Sequence, residues 1–552
     1  MGAAVGGLGL AFSAPFWAYS LVAEAFALNN FFAALVLLLL VEWERRPERV
    51  WLLWACGFTA GLAASNHQTI VLLAPGLGVL LIAGGRRLLR IGRRWHHLGG
   101  HMARDLGVGV CLIVVGLLPY AYLPIAASMD PPYNWGDPRT PENFWRHVTR
   151  ADYGTFRLTT DQQEAAGSRV EQLRIFGESL YYAFTPLGVV LAVAGAWWLA
   201  KRRPITGLAL LLMFLASGPL FVAYTNPPLA NPLWQGVLER FYILPGVVFA
   251  LAIGAGAFEA VQVAARLAPG RRGQAAAAGA AVALLAVPLG AMVTHYRDLD
   301  QSANLLNHQY LEDLLTPIEQ GALLLTGGDL FSFGVDYLQM VEGRRRDVVV
   351  LHTEKLGSSW YVAQVRQQHP DVVIPFDHFD PSQTTAVAQL VEANLVRRPV
   401  YVGGDVSEQY VAGRFDAVQA GLSTKVLPTG SGVEWNTMIR EQPGLYLGMR
   451  YPTRTYPEST WESRIQTHYG YLAFIVGFLL YDGVDDAEAA GWYRTAMRLA
   501  PKFAASYKNL GRILLTDPAE AATVVGLWDT YLRLNPEDPQ AEAMRERLRG
   551  LR

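Results

Sequence analysis

The chain of 552 residues has only two cysteines, Cys56 and Cys111, and both lie inside apolar runs. Neither a disulfide framework nor a thiolate metal cluster can be built from them. They read as core or lipid-facing residues. Charge is scarce as well: 17% of residues are Asp, Glu, Lys or Arg, and the formal net charge is −1. That balance leaves no electrostatic footprint for nucleic acid or for an acidic partner. No group of His and Asp residues has metal-ligand spacing, so no metal is called for. The glycine turns TGGD (326–329) and VGGD (402–405) are not G-x-G-x-x-G, which argues against a dinucleotide cofactor. Asp329 and Asp405 read equally well as helix caps. The N-terminus has no basic n-region, and its first charged residue is Glu24, so it makes a poor signal peptide. Gly2 would suit myristoylation, but Gly6 stands where Ser or Thr is wanted. The stretch MGAAVGGLGLAFSAPFW reads instead as the second half of a membrane helix.

What the chain does have is apolar length. Its hydrophobic fraction is 52% and its mean hydropathy +0.19. That is too apolar for an ordinary soluble protein and too charged for an all-membrane one, so a chimera is expected. Eight apolar segments of membrane length run near 25–41, 50–64, 69–83, 106–123, 180–200, 205–224, 241–264 and 274–293. Basic residues orient them. Arg45, Arg46 and Arg49 form one cluster; Arg86, Arg87, Arg90, Arg93, Arg94 and Arg104 form the next. Lys201, Arg202 and Arg203, and then Arg266, Arg271 and Arg272, form two more. If every segment spans once, all four fall on one side, the cytoplasmic one. The opposite, extracytoplasmic face then receives 13–24, the turn 65–68, the long loop 125–179, 225–240 and everything after Thr294. Glu24, Asn66, His67, Trp135, Asp137, Arg139, His147, Arg150, Glu239 and Arg240 converge on that face. Ionisable groups at a membrane boundary are either interfacial anchors or functional.

The most distinctive stretch is MDPPYNWGDPRTPENFWRHVTR, Met129 to Arg150. Its prolines and Asn-Trp-Gly-Asp turn predict an ordered loop. Pro141 and Glu142 then predict the first turn of a short amphipathic helix, 143–150, bearing Trp145, Arg146, His147 and Arg150. Such a loop beside a membrane suits chemistry on a lipid-linked substrate.

Beyond the membrane part the pattern changes. Strands at 322–329, 347–352 and 399–403 alternate with helices at 331–342, 358–369 and 384–395, which predicts a small parallel α/β domain. From Tyr469 to Pro536 two degenerate helix–turn–helix copies follow at a spacing of about 34 residues, the tetratricopeptide period. Two repeats rarely stand alone, so they are expected to pack on the α/β domain as a cap, with a partner-binding role as the alternative. The expected division is a membrane domain at 1–294, an extracytoplasmic α/β domain at 295–460 and helical repeats at 461–552. The fold class is thus a polytopic α-helical membrane protein with a C-terminal soluble α/β domain and short tetratricopeptide-like repeats.

Three runs carry a resemblance: FSAPFWAYSLVAEAFALNNFF (12–32), GLAASNHQTIVLLAPG (61–76) and YAYLPIAASMDPPYNWGDPRTPENFWRHVTRADYG (120–154). With ERFYILP (239–245) and ALLLTGGDLFSFGVDYLQ (322–339), the chain resembles a family over nearly its whole length. The family is that of bacterial membrane proteins related to the eukaryotic transmembrane protein O-mannosyltransferase with tetratricopeptide repeats, within glycosyltransferase superfamily C. The resemblance implies a polyprenyl-phosphate sugar donor, a protein acceptor and a membrane-embedded site facing away from the cytoplasm, in a cell or inner membrane. Members begin with a further helix and a first loop bearing an Asp-Ser-Gly-Glu type motif and a His-Pro-Pro-Gly run, and neither occurs here. The chain therefore reads as N-terminally truncated and inactive if that loop supplies the base.

Moving a sugar from a lipid phosphate to a Ser or Thr hydroxyl needs a carboxylate to take the proton. It needs cations on the leaving phosphate and aromatic surfaces for the sugar. Glu24 and Asp137 are the candidate catalytic carboxylates, although Asp137 before Pro138 also reads as a turn residue. Arg240 is the first candidate for the phosphate, with Arg139, His147 and Arg150 as second choices. Trp135 and Trp145 would line the sugar or lipid groove, with His67 and Glu239 as further binding residues. Two other classes compete. A non-enzymatic membrane-anchored assembly protein would use its repeats to bind partners. A lipid-linked sugar transporter is opposed by the lack of an inverted pair of glycine- or proline-broken helices.

Overall fold

The computed structural model describes residues 1–552 apart from 95–101, 155–167, 227–228, 230–231, 268, 379–383, 407–409, 412, 433–442, 482–484 and 552. Parts of the expected repeat region (482–484) and of the loops at 125–179 (155–167) and 225–240 (227–228 and 230–231), and the side chains of Arg93 and Arg94, lie outside the described residues. Packing divides the chain into two units. One comprises Met1–Pro131 and Asp137–Ala303, the other Pro132–Gly136 and Asn304–Arg552.

The first unit is helical: α1 Gly2–Ala11, α2 Ala14–Ser20, α3 Ala25–Arg45, α4 Val50–Asn66, α5 Ala74–Arg94 and α6 Met102–Gly116. After α7 Tyr122–Ala127 and α8 Pro141–Val148 come α9 Arg169–Arg202, α10 Pro204–Ser217, α11 Pro219–Thr225, α12 Leu233–Arg266 and α13 Gly270–Leu299. Among the described residues, seven stretches are long and apolar enough to cross a membrane: Ala25–Arg45, Gln68–Leu88, Arg104–Ala127, Arg169–Arg202, Pro204–Thr225, Leu233–Arg266 and Gly270–Leu299. The eighth expected segment, at 50–64, forms α4 with 17 residues, short of that length.

Several helices run past their apolar segments. Helix α9, broken at Thr185 (φ 62°) before Pro186, starts at Arg169, not near 180, because Arg174 pairs with Glu171 and Glu178 one turn to either side. The expected outer loop 125–179 is shortened accordingly. In the same way α12 begins at Leu233, which puts Glu239 and Arg240 two turns inside a helix instead of in a loop. Close approach of backbones holds this unit together. A Cβ at Gly256 of α12 would lie 1.9 Å from the Leu191 carbonyl oxygen of α9, and one at Gly61 of α4 would lie 2.1 Å from that of Ile113 in α6. Such crossings are what small residues permit where lipid offers no hydrophobic drive. Val36, Leu40 and Trp43 of α3 interleave with Leu52, Leu53 and Leu80 in the core between α3, α4 and α5.

The second unit is built on a five-stranded sheet. Its strands are β1 Leu323–Gly327, β2 Val349–His352, β3 Val400–Gly404, β4 Asp416–Ala420 and β5 Ser423–Leu427, in the order β2-β1-β3-β5-β4. The first three are parallel, as alternation with helices predicts. The sheet is nevertheless mixed and not purely parallel, because β4 and β5 form an antiparallel hairpin added at the β3 edge. Helix α14 Leu306–Leu315 precedes the sheet; α15 Asp329–Met340, α16 Ser359–Gln368 and α17 Thr384–Leu395 connect its strands. Val335 and Leu338 of α15 pack with Val348, while Tyr361, Val362 and Val365 of α16 pack with Val349 and Leu351 on the other face. After α18 Pro443–Leu447, five helices follow: α19 Trp461–Tyr481, α20 Asp486–Leu499, α21 Ala504–Leu514, α22 Ala521–Leu534 and α23 Ala541–Leu551. Ile465, Tyr469 and Leu472 of α19 share a core with Tyr310 and Leu311 of α14, so the helical tail continues the α/β core.

Candidate functional site

The densest polar constellation of the first unit gathers where α2, α3, α4 and α12 meet. Glu24 is the residue before α3, and its carboxylate accepts a hydrogen bond of 2.8 Å from Arg240 Nη1. Arg240 Nε donates to the Val237 carbonyl at 3.1 Å, and the guanidinium lies 5.7 Å from the Phe26 ring centre and 6.0 Å from that of Phe241. These two neighbouring rings lie on one side of the guanidinium and add cation–π attraction. Phe26 in turn meets the His67 ring at 4.8 Å and Phe241 edge-on at 5.1 Å. The Asn66 side chain donates to the Ala25 carbonyl at 3.0 Å, tying the end of α4 to the start of α3.

His67 follows α4 and opens the next helical turn. Its Nδ1 accepts from the Thr69 backbone N–H at 3.3 Å and lies 2.7 Å from the Thr69 hydroxyl, which leaves the ring proton on Nε2. Burial, and then the cations Arg150 and Arg240, pull the imidazole down to about 4, so it is neutral at pH 7. The charge of Arg150 is thus felt at the His67 ring. Arg150 sits at a left-handed position (φ 54°) just after α8. Helix α8 spans Pro141–Val148, starting at Pro141 as expected and ending two residues before Arg150, with the Thr140 hydroxyl capping it by accepting from the Asn143 N–H. Its last carbonyl, that of Val148, accepts from Gln68 at 2.6 Å, which seats the helix beside His67.

Tyr19 of α2 completes the group and was not anticipated. Its hydroxyl donates to the Gly236 carbonyl at 2.8 Å. Burial, with the nearby charges of Glu239 and Glu24 against that of Arg240, holds the phenol protonated well above its usual range. The only sequence signal for it is an aromatic residue five positions before a lone carboxylate. The Glu239 residue is half-buried, and its carboxylate has no hydrogen-bond partner among the described residues.

The remaining expected residues are placed differently. Asp137 receives a fork from Arg139, at 2.6 Å and 2.9 Å, and Arg139 also donates to Asp130 at 3.0 Å. Both aspartates have positive φ, 41° and 47°, so this trio braces a tight turn. Trp145 is exposed, and burial holds His147 below the usual histidine range. Trp135 belongs to the second unit. It stacks on Phe333 at 6.1 Å and meets Trp360 at 5.8 Å and Tyr133 at 5.7 Å. Within that nest Lys355 Nζ lies 3.9 Å from the Phe333 ring centre, 5.1 Å from Tyr133 and 5.3 Å from Trp135. A lone lysine in TEKLG gives no hint of this in the sequence. Burial pushes its amine down to about 8, against the pull of Asp336, Asp329 and Glu354.

Comparison with known proteins finds partial matches. A family model described as the protein O-mannosyl-transferase TMEM260 N-terminal domain matches residues 1–88, and one described as TMEM260-associated domain 2 matches 307–378. The protein O-mannosyl-transferase tmem260 of Dictyostelium discoideum is 25% identical over 490 residues, 82% of this chain and 58% of that protein. The protein O-mannosyl-transferase TMEM260 of Mus musculus is 29% identical over 398 residues, 70% of this chain and 54% of that protein. The chain thus spans somewhat over half the length of these curated relatives. No solved structure matches.

Proposed function

We propose that this chain, an O-mannosyltransferase-like membrane protein by the family models and relatives it matches, transfers a hexose, mannose by the relatives' names, from a polyprenyl-phosphate donor to Ser or Thr of a protein. The observation that carries the reading is the Glu24–Arg240 pair flanked by His67, Arg150, Tyr19 and Glu239 at the ends of membrane-length helices.

Such a group matches what the reaction requires. The bond from the sugar's anomeric carbon to the phosphate oxygen breaks as the bond to the acceptor oxygen forms. The phosphate leaves with the electron pair and the acceptor hydroxyl gives up its proton. Arg240, with Arg150 close by, supplies positive charge for the leaving phosphate. His67, neutral and carrying its proton on Nε2, can donate to a phosphate or sugar oxygen without adding charge. A phosphate on Arg240 competes with Glu24 for the guanidinium and frees that carboxylate to take the hydroxyl proton. The phenol of Tyr19 and the rings of Phe26 and Phe241 give the site aromatic surface. Asn66 at the end of α4 bonds to Ala25 at the start of α3, so the short α4 returns along α3, and with that return the four basic clusters favour an orientation with this site and the C-terminal unit outside the cytoplasm.

The test is sugar transfer from a polyprenyl-phosphate hexose to a Ser/Thr peptide by the protein in detergent micelles. Arg240→Ala is expected to lower turnover by about 10²–10³-fold, the size of losing one charge-stabilising donor, with an unchanged melting curve. Turnover equal to the parent's would remove Arg240 from the site. Absence of transfer by the parent with any such donor would remove the reading.

A further inference from the structure

The second unit carries a feature that sugar transfer does not use. Strand β2 is the outermost strand of the sheet beyond β1. In its parallel register Leu323 faces Val349, and the Val349 N–H donates to the Ala322 carbonyl. Residues 349 and 351 therefore turn their backbone groups toward β1, and residues 348, 350 and 352 turn theirs outward. Two of these outward groups are already satisfied. The Gln339 side chain donates to the Val348 carbonyl at 2.8 Å, and the His352 N–H donates to the Tyr361 hydroxyl at 2.9 Å. Val350 between them has no outward partner among the described residues, for either its N–H or its carbonyl.

Val350 opens onto a cleft of about 470 Å³. Asp336, Gln339 and Met340 of α15 form one wall, and His369 of α16 with Gln364 and Gln368, which donate to the Pro132 carbonyl, the other. An unpaired edge donor and acceptor in a cleft between two helices is a template for one more strand. The charge around it is defined. Asp336 is engaged by the His352 ring at 3.0 Å. Arg346, exposed at the rim, donates through Nε to the Gln339 carbonyl and joins no ion pair among the described residues. Burial holds His369 below its usual range, so it adds no positive charge at pH 7. The cleft thus offers one guanidinium and a backbone pair spaced for an extended chain.

We propose that the edge of β2 is a docking site for an extended polypeptide segment of another protein, added as a short strand beside Val350 and carrying an acidic side chain that meets Arg346. Main-chain hydrogen bonds would give the affinity and the acidic contact the preference. This goes beyond the transfer reaction and does not depend on it.

The probe is a fluorescent heptapeptide, Thr-Val-Thr-Glu-Thr-Val-Thr, titrated against the whole chain in detergent micelles and followed by anisotropy and hydrogen exchange. The expected result is saturable binding with slowed exchange of the Val350 amide. N-methylation of the peptide backbone at the position facing Val350 is expected to weaken binding at least about tenfold, roughly 1.4 kcal/mol. Val350→Pro removes the outward N–H without touching a bond to β1 and is expected to do the same, since an edge strand tolerates proline there. Should that variant not fold, Arg346→Glu serves instead, and is expected to reverse the preference toward a Lys-centred peptide. No binding at about 1 mM peptide, equal binding of the N-methylated peptide, or equal binding of the Glu- and Lys-centred peptides by the parent would each overturn the proposal.

Discussion

At the scale of single residues, His67 is the side chain whose charge state decides most about the membrane unit. Burial and the two arginines lower its folded-state value from the ordinary 6.5 to about 4. Between those limits the unfolded chain binds a proton that the folded chain refuses. The stability from keeping the ring neutral is therefore fully present above about pH 6.5 and is lost as pH falls toward 4. Melting temperature in micelles is expected to drop over that window, and His67→Gln is expected to flatten the drop. A variant with the parent's pH slope would mean that other groups set it. In the proposed reaction the same neutrality leaves the positive charge for the leaving phosphate to Arg240 and Arg150.

At the scale of elements, backbone contact organises the membrane unit more than side-chain bulk does. Helices α9 and α12 meet where Gly195 lies against Ala252 and Gly256 against Leu191, with room for no Cβ on either glycine. Gly256→Val must drive the helices apart, at an expected cost of at least about 3 kcal/mol. Chemical denaturation in micelles measures it, and a loss below about 1 kcal/mol would show that the crossing can relax. Because α12 also carries Glu239 and Arg240, transfer activity is expected to fall with it. How far these elements were legible in the sequence depended on their signals. Apolar length marked α3, α10 and α12. It missed the polar first turns of α9, which Arg174, Glu171 and Glu178 sustain through side-chain pairs that a hydropathy pattern does not register. Strands β1, β2 and β3 stood out as runs such as ALLLTG and DVVVLH. The hairpin DAVQA–STKVL did not, because Gln419, Thr424 and Lys425 break its apolar character and only pairing with β3 defines it. Of the site, Glu24, His67 and Arg240 were foreseeable as polar residues at apolar boundaries. Tyr19 was not, since its role comes from neighbours more than 200 residues away in sequence.

At the scale of the whole molecule, the loop that looked like one functional block is divided between two packing units. Asp130, Asp137 and Arg139 brace a turn within the membrane unit, while Pro132–Gly136 belongs to the C-terminal unit. The allocation has a physical basis. Tyr133 and Trp135 share a ring nest with Phe333 and Trp360, Lys355 lies over three of those rings, and Gln364 and Gln368 donate to the Pro132 carbonyl at 3.3 Å and 3.1 Å. A desolvated cation over aromatic faces contributes about 1–2 kcal/mol, and the half-buried Trp135 indole adds apolar burial. Trp135→Ala is therefore expected to destabilise the C-terminal unit by about 2 kcal/mol. In amide exchange it should speed opening of β2 and α16 while leaving α9 and α12 at the parent's rates. Faster exchange confined to α9 and α12 would assign Trp135 to the membrane unit instead, restoring it to the groove that its sequence neighbours first suggested. The distinction matters for any reading of the chemistry. A tryptophan that anchors the sheet-bearing unit has a packing role of its own there, and within the membrane unit the aromatic surface near Arg240 is that of Tyr19, Phe26 and Phe241.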